Sequence, residues 1–113
     1  MEFMHEKLHA YQATLQFGEL VFDVLSRKGT IHKALKDQLE RAMESMLLNI
    51  AEGNGKKSAA ERRRFFETAR ASTFECAAIT DLLLVQRVIS PELGRDLKSL
   101  LERIAAMLTG LMR

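Results

Sequence analysis

Apolar residues recur at three- and four-residue steps along almost the whole chain, in four runs parted by short breaks, and this periodicity predicts four amphipathic helices. The first spans about 5–27, with Leu8, Tyr11, Leu15, Phe22 and Leu25 on one stripe around a gap at Gly18. A second stripe, Ala10, Thr14, Phe17, Val21 and Val24, runs beside it, so the apolar surface is wider than one neighbouring helix requires. The Arg27-Lys28-Gly29-Thr30 turn sets cations at the helix's negative end and a Gly suited to a left-handed cap. The second helix spans about 31–52, with Thr30 as its expected cap. On it Ile31, Ala34, Leu35, Leu39, Ala42, Met43, Met46, Leu47 and Ile50 face one way, and Lys36, Asp37, Glu40, Arg41 and Glu44 the other. Gly53-Asn54-Gly55 accepts positive φ and is expected to stop it.

The third helix spans about 58–88 and opens on the capping box Ser58-Ala59-Ala60-Glu61. Its seam is Phe65, Ala69, Ser72, Cys76, Ile79 and Leu83, with small residues in the middle where a partner helix can come close, and Phe74 lies off it. The fourth spans about 91–112, starting from a Ser90 cap and Pro91 at the first helical position. Leu93, Leu97, Leu100, Ile104, Met107 and Leu111 then keep an unbroken four-three alternation, with Leu101, Ala105, Leu108 and Met112 as a second stripe alongside. Connections of a few residues make successive helices antiparallel neighbours, so the expected fold is all-α, an up-down-up-down antiparallel four-helix bundle. Residues 1–113 are read as a single domain with one core.

The double stripes and Phe74 amount to more apolar surface than a small bundle hides, which predicts self-association. Composition adds limits. A single cysteine, Cys76, excludes an intrachain disulfide and a thiolate metal site, and fits a reducing compartment. The start Met-Glu-Phe-Met-His-Glu-Lys has neither the basic residues nor the apolar run of a secretory signal, and no stretch approaches the ~18 apolar residues of a membrane span. The expected location is the cytoplasm, with no membrane partner.

The formal net charge is only +2, but its distribution is uneven. Residues 56–89 hold seven Lys and Arg against four Asp and Glu, while the rest holds ten against eleven. Lys56, Lys57, Arg62, Arg63, Arg64 and Arg70 form one basic cluster at the start of a helix, whose free amides also favour anions, so phosphate is the natural ligand. Arg62, Arg63 and Arg64 are consecutive, however, and at ~100° per residue they cannot share one surface. Two readings stay open: a cluster that binds nucleic acid, and charges that only solvate the bundle or bridge subunits. With no Trp and one Tyr, sequence-specific stacking on single strands is not expected.

Catalytic chemistry finds little footing. Gly53-Asn54-Gly55-Lys56-Lys57-Ser58 lacks the spacer and the preceding strand of a phosphate-binding loop, and the two Glu-x-x-His pairs, Glu2/His5 and Glu6/His9, stand together in one stretch and not on two separate helices as a di-iron bundle needs. His5 and His9 share a helix face but lack a third ligand, and Cys76 has no neighbouring base. No cofactor, metal or enzymatic activity is expected. Asn49 and Glu52 read as polar locks at the corner between the second and third helices; Glu52, at a helix end with an unfavourable dipole, calls for a compensating partner.

The run Asn49-Ile50-Ala51-Glu52-Gly53-Asn54-Gly55-Lys56-Lys57-Ser58, followed by Glu61, Phe65-Phe66, Ala69, Ser72 and Glu75, resembles the signature of the four helix bundle protein family. Its members include proteins encoded within intervening sequences of bacterial large-subunit ribosomal RNA genes and the accessory variability determinants of diversity-generating retroelements. The resemblance covers nearly the whole chain in helix order and loop placement, with Cys76 where a Leu is usual. It implies a left-handed bundle that assembles into a ring-shaped homopentamer, with no catalytic activity. It also implies, from the retroelement branch, binding to a reverse transcriptase and to RNA or DNA. The combined expectation is a non-enzymatic oligomeric accessory or scaffold acting on nucleic acid or its processing proteins. The alternative is a protein-protein scaffold without nucleic acid.

Overall fold

The computed structural model of the chain describes residues 3–27 and 31–113. Those residues form a 3-10 turn, Met4–Lys7, and four α-helices: α1 (His9–Ser26), α2 (Lys33–Gly55), α3 (Ala59–Val85) and α4 (Pro91–Leu111), an all-α four-helix bundle. Among the described residues, close backbone approaches join α2 with α3, α3 with α4, α1 with α4 and α1 with α2, and neither diagonal pair. The helices therefore stand at the corners of a square around one core, in a rod measuring 44 × 27 × 22 Å.

Side-chain pairings fix how neighbours lie. Between α2 and α3, Gly53 meets Phe66 and Met46 meets Cys76, so position falls on one helix as it rises on the other. Between α3 and α4, Leu84 packs on Gly94 and Asp81 pairs with Lys98 at 2.6 Å. The N-terminus of α1 lies beside the C-terminus of α4, where Leu8, His9 and Ala10 face Met107, Gly110 and Leu111.

The core takes the whole second stripe of α1, while of the first only Leu25 is buried, with Leu8 and Tyr11 packed at the core's edge. Ala10, Thr14, Phe17, Val21 and Val24 are buried, whereas Leu15 and Phe22 are 44% and 65% exposed. They meet Leu39, Ala42, Met46 and Ile50 of α2 and Leu97, Leu101, Ile104 and Leu108 of α4. On α3 the fully buried aromatic is Phe66 and not its neighbour Phe65, and Thr73 and Thr80 join the core. Each buried threonine donates its hydroxyl to the carbonyl four residues back: Thr14 to Ala10, Thr73 to Ala69 and Thr80 to Cys76, all at 2.8 Å. That bond removes the cost of burying the hydroxyl, so a threonine serves as a small core residue.

Several helix ends differ from the sequence reading. The expected start near His5 is replaced by the 3-10 turn and an extended Leu8, and α1 begins at His9; the His5 ring packs on Tyr11 at 4.8 Å and on Phe3 at 5.8 Å. Helix α2 does not stop before Gly53 but runs through Gly55. Gly53 is buried there because the Phe66 ring lies on its backbone: an added Cβ would stand 2.8 Å from Phe66 Cε1. The glycine answers a close approach and not a positive φ. Helix α3 ends at Val85, not 88, because Arg87 turns left-handed at φ 58° and the amides of Arg87 and Val88 bond back to Leu84 and Leu83 at 3.1 and 2.9 Å. This closure turns Ile89 into the core.

Ser58 and Ser90 cap their helices, accepting from the amides of Glu61 and Leu93, each at 3.1 Å, but among the described residues the Glu61 carboxylate makes no return bond, so only half of the expected capping box forms. Gly29 lies outside the described residues, and the cap expected of Thr30 is overturned: α2 starts at Lys33, so the extended His32 holds the cap position, without a side-chain cap bond. No helix among the described residues is long and apolar enough to cross a membrane.

Candidate nucleic-acid interface

Most of the basic cluster of the sequence gathers at one end of the bundle, where α2 ends, α3 begins and α4 ends. Ser58 fixes the first turn of α3 by capping the Glu61 amide, which leaves the exposed first residues Ala59 and Ala60 with amides that no helical carbonyl can take up. Around this positive helix start the cations divide into two groups. Lys57, Arg62 and Arg63 line a surface cavity of about 280 Å³ together with Ala59, Leu111, Met112 and Arg113. Lys56 and Arg64 instead flank the half-buried Phe65, with Nζ 5.1 Å and the guanidinium carbon 5.5 Å from the ring centroid. The ring anchors two long side chains that would otherwise sample many rotamers.

Arg113 is the residue that the sequence reading missed. It lies some fifty positions from Arg63, and only the return of α4 brings it beside the start of α3. Arg63 is 3.7 Å from Glu67, but both side chains are 63% exposed, and an exposed pair of this kind is too weak to withhold the guanidinium from an anion. Arg70 does not join the cluster. It sits further along α3, its guanidinium carbon 4.7 Å above the Phe74 ring.

The Asn49–Glu75 motif mostly builds the corner that carries these cations. Asn49 donates its side-chain amide to the Ser45 carbonyl at 2.8 Å and to Ser45 Oγ at 3.2 Å, and Ser72 donates across from α3 to the same Oγ at 2.7 Å. Ile50, Gly53, Ala69 and Ser72 are buried, Ala51 is half-buried, and Gly55 and Glu61 are exposed. Glu75 accepts from Gln38 at 3.3 Å. Glu52 departs from expectation: it is exposed and makes no hydrogen bond or ion pair among the described residues, because its side chain points outward from the last turns of α2, where water solvates it.

Cys76 is buried at the α2–α3 seam with its thiol 3.4 Å from Met46 Sδ. Burial, with a smaller contribution from the Glu75 charge, pushes the thiol up to about 12, so it stays protonated and unreactive at neutral pH. No group of three His, Cys, Asp or Glu side chains placed to hold a metal occurs among the described residues.

The family model described as 23S rRNA-intervening sequence protein matches residues 6–110. The chain belongs to this family. A search among curated proteins finds none that matches. The intervening-sequence protein family is not known as an enzyme family, and its link to ribosomal RNA intervening sequences is compatible with an RNA-related role.

Proposed function

We propose that this intervening-sequence protein is a non-enzymatic, oligomeric accessory that holds RNA by its phosphates at the end of the bundle where α3 begins. The observation that carries this reading is the convergence of Lys57, Arg62, Arg63 and Arg113 on one cavity beside the α3 N-terminus, with Lys56 and Arg64 braced on Phe65 close by. Cations and free helix amides together make an anion site that reads charge and not base sequence. One such site holds phosphate weakly. A homopentamer, as the family resemblance implies, would repeat it five times and gain avidity through effective concentration. A ribosomal RNA segment, or RNA bound to a processing protein such as a reverse transcriptase, is the partner of matching chemistry in the cytoplasm.

Fluorescence anisotropy with labelled RNA at low and physiological salt tests the reading. Binding that weakens steeply as salt rises is expected. Absence of binding at micromolar protein in both buffers overturns it and favours a scaffold that meets only other proteins.

A further inference from the structure

The cavity at the start of α3 is a pocket with converging walls. Lys57 comes from the connection before α3, Arg62 and Arg63 from its first two turns and Arg113 from beyond the end of α4, and all four line one space of about 280 Å³. Another part of the wall is Leu111 and Met112, both half-buried and packed against the core, so the bundle itself closes that side. A strand in mid-length reaches such a pocket only by doubling back on both sides of the phosphate it inserts. A strand that ends there enters directly.

Charge points the same way. Among the described residues no Asp or Glu side chain lines the cavity, Lys57, Arg62 and Arg113 have no ion-pair partner, and Arg63 has only its exposed pair with Glu67. Even with Arg113 set aside, Lys57, Arg62 and Arg63 against that one carboxylate leave a surplus of two positive charges. An internal phosphodiester brings a single negative charge. A phosphate monoester at a chain end carries about −1.5 to −2 at pH 7 and three free oxygens, which suit the parallel hydrogen bonds of a guanidinium. Leu111 and Met112 add an apolar side that a bare phosphate does not use and that fits the sugar or base of a last nucleotide.

We propose that this cavity binds the phosphate monoester at an end of an RNA chain, with Arg62 and Arg63 on its oxygens, Lys57 and Arg113 beside them, and the last nucleoside against Leu111 and Met112. The assignment rests on the phosphate reading of the preceding section and narrows its ligand from any phosphate of the strand to the terminal one. The end phosphate answers two of the four cations. The phosphates that follow it answer the others, together with Lys56 and Arg64, which are braced on Phe65 outside the cavity. Affinity for RNA therefore has one part set by the chemistry of the chain end and another set by the strand behind it.

Fluorescence anisotropy on versions of one short RNA, labelled at an internal base, tests this: one with a 5′-phosphate, one with a 3′-phosphate and one with hydroxyls at both ends. Wild type is expected to bind a phosphorylated form about tenfold more tightly than the hydroxyl form, the effect of one good charge-assisted contact, and the version preferred says which end enters. A hydroxyl-ended strand one nucleotide longer carries its extra phosphate as a diester and is expected to gain little. Arg62→Gln with Arg63→Gln, neither side chain being buried, is expected to erase the preference. Lys56→Gln with Arg64→Gln is expected to weaken all versions alike and to keep it; circular dichroism checks that both variants fold. Equal, salt-sensitive binding of all versions by wild type overturns the end-phosphate assignment and leaves the phosphate reading standing. A preference that survives Arg62→Gln with Arg63→Gln puts the chain end elsewhere and overturns the assignment too. No binding of any version at micromolar protein overturns both readings.

Discussion

Gly53 of α2 lies flat against the ring of Phe66, so close that a Cβ on the glycine would stand 2.8 Å from Phe66 Cε1 and 3.0 Å from Phe65 Cβ. This contact sets the approach of α2 to α3 just before the basic corner. Gly53→Ala must push the ring or the helix away and is expected to cost about 1–3 kcal/mol. Gly55→Ala, two residues on in the same helix with nothing within 4 Å, is expected to gain up to about 1 kcal/mol by lowering the entropy of the unfolded chain. Urea midpoints at fixed protein concentration measure both, and equal effects would contradict the packing role of Gly53.

Arg87 holds the left-handed position that closes α3, with φ 58° and an exposed side chain. A left-handed conformation costs a residue with a Cβ about 1–2 kcal/mol that glycine avoids. Arg87→Gly is therefore expected to raise stability by about 1 kcal/mol, seen as a higher melting temperature. A lower one would mean that the guanidinium contributes more than the backbone gains.

Cys76 links stability to alkaline pH. Its thiol titrates at about 12 when folded and near 9 when unfolded, so between those values the unfolded chain binds fewer protons and is favoured as pH rises. The thiol's contribution is flat below pH 9 and falls above it by up to about 1.4 kcal/mol per pH unit. Cys76→Ala is expected to lose this part of the decline, measured as the difference between the two proteins' urea midpoints from pH 8 to 10. Parallel profiles would contradict it. In the same proteins, a thiol reagent at pH 8 is expected to label native wild type only as fast as it unfolds.

Helix number, order and approximate limits were legible because α2 and α4 are cleanly amphipathic and because Ser58 and Ser90 carry strong cap chemistry. Two features misled. Thr73 and Thr80 stand outside the seam that the periodicity picks out on α3, yet they satisfy their hydroxyls inside their own helix and go into the core, on a face that buries Phe66 and leaves Phe65 half-exposed. Both stripes of α1 are apolar, and nothing local says that Phe17 is core while Phe22 is surface; that is settled by where α2 and α4 stand. The cationic site was half legible. Lys57, Arg62 and Arg63 are close in sequence, but Arg113 reaches them only through the fold, and Arg70 is removed from them by its place along α3 beside Phe74.

The most direct test of the phosphate-binding account is the salt dependence of RNA affinity, measured for wild type and for a variant carrying Lys57→Gln, Arg62→Gln, Arg63→Gln and Arg113→Gln. Four lost phosphate contacts are expected to lower the slope of log affinity against log salt by about 3, at ~0.7 per contact for single strands. Lys36→Gln with Arg95→Gln, near the opposite end of the bundle, is expected to leave it unchanged. A fourfold variant that keeps the wild-type affinity and slope would contradict the assignment of RNA to this end of the protein.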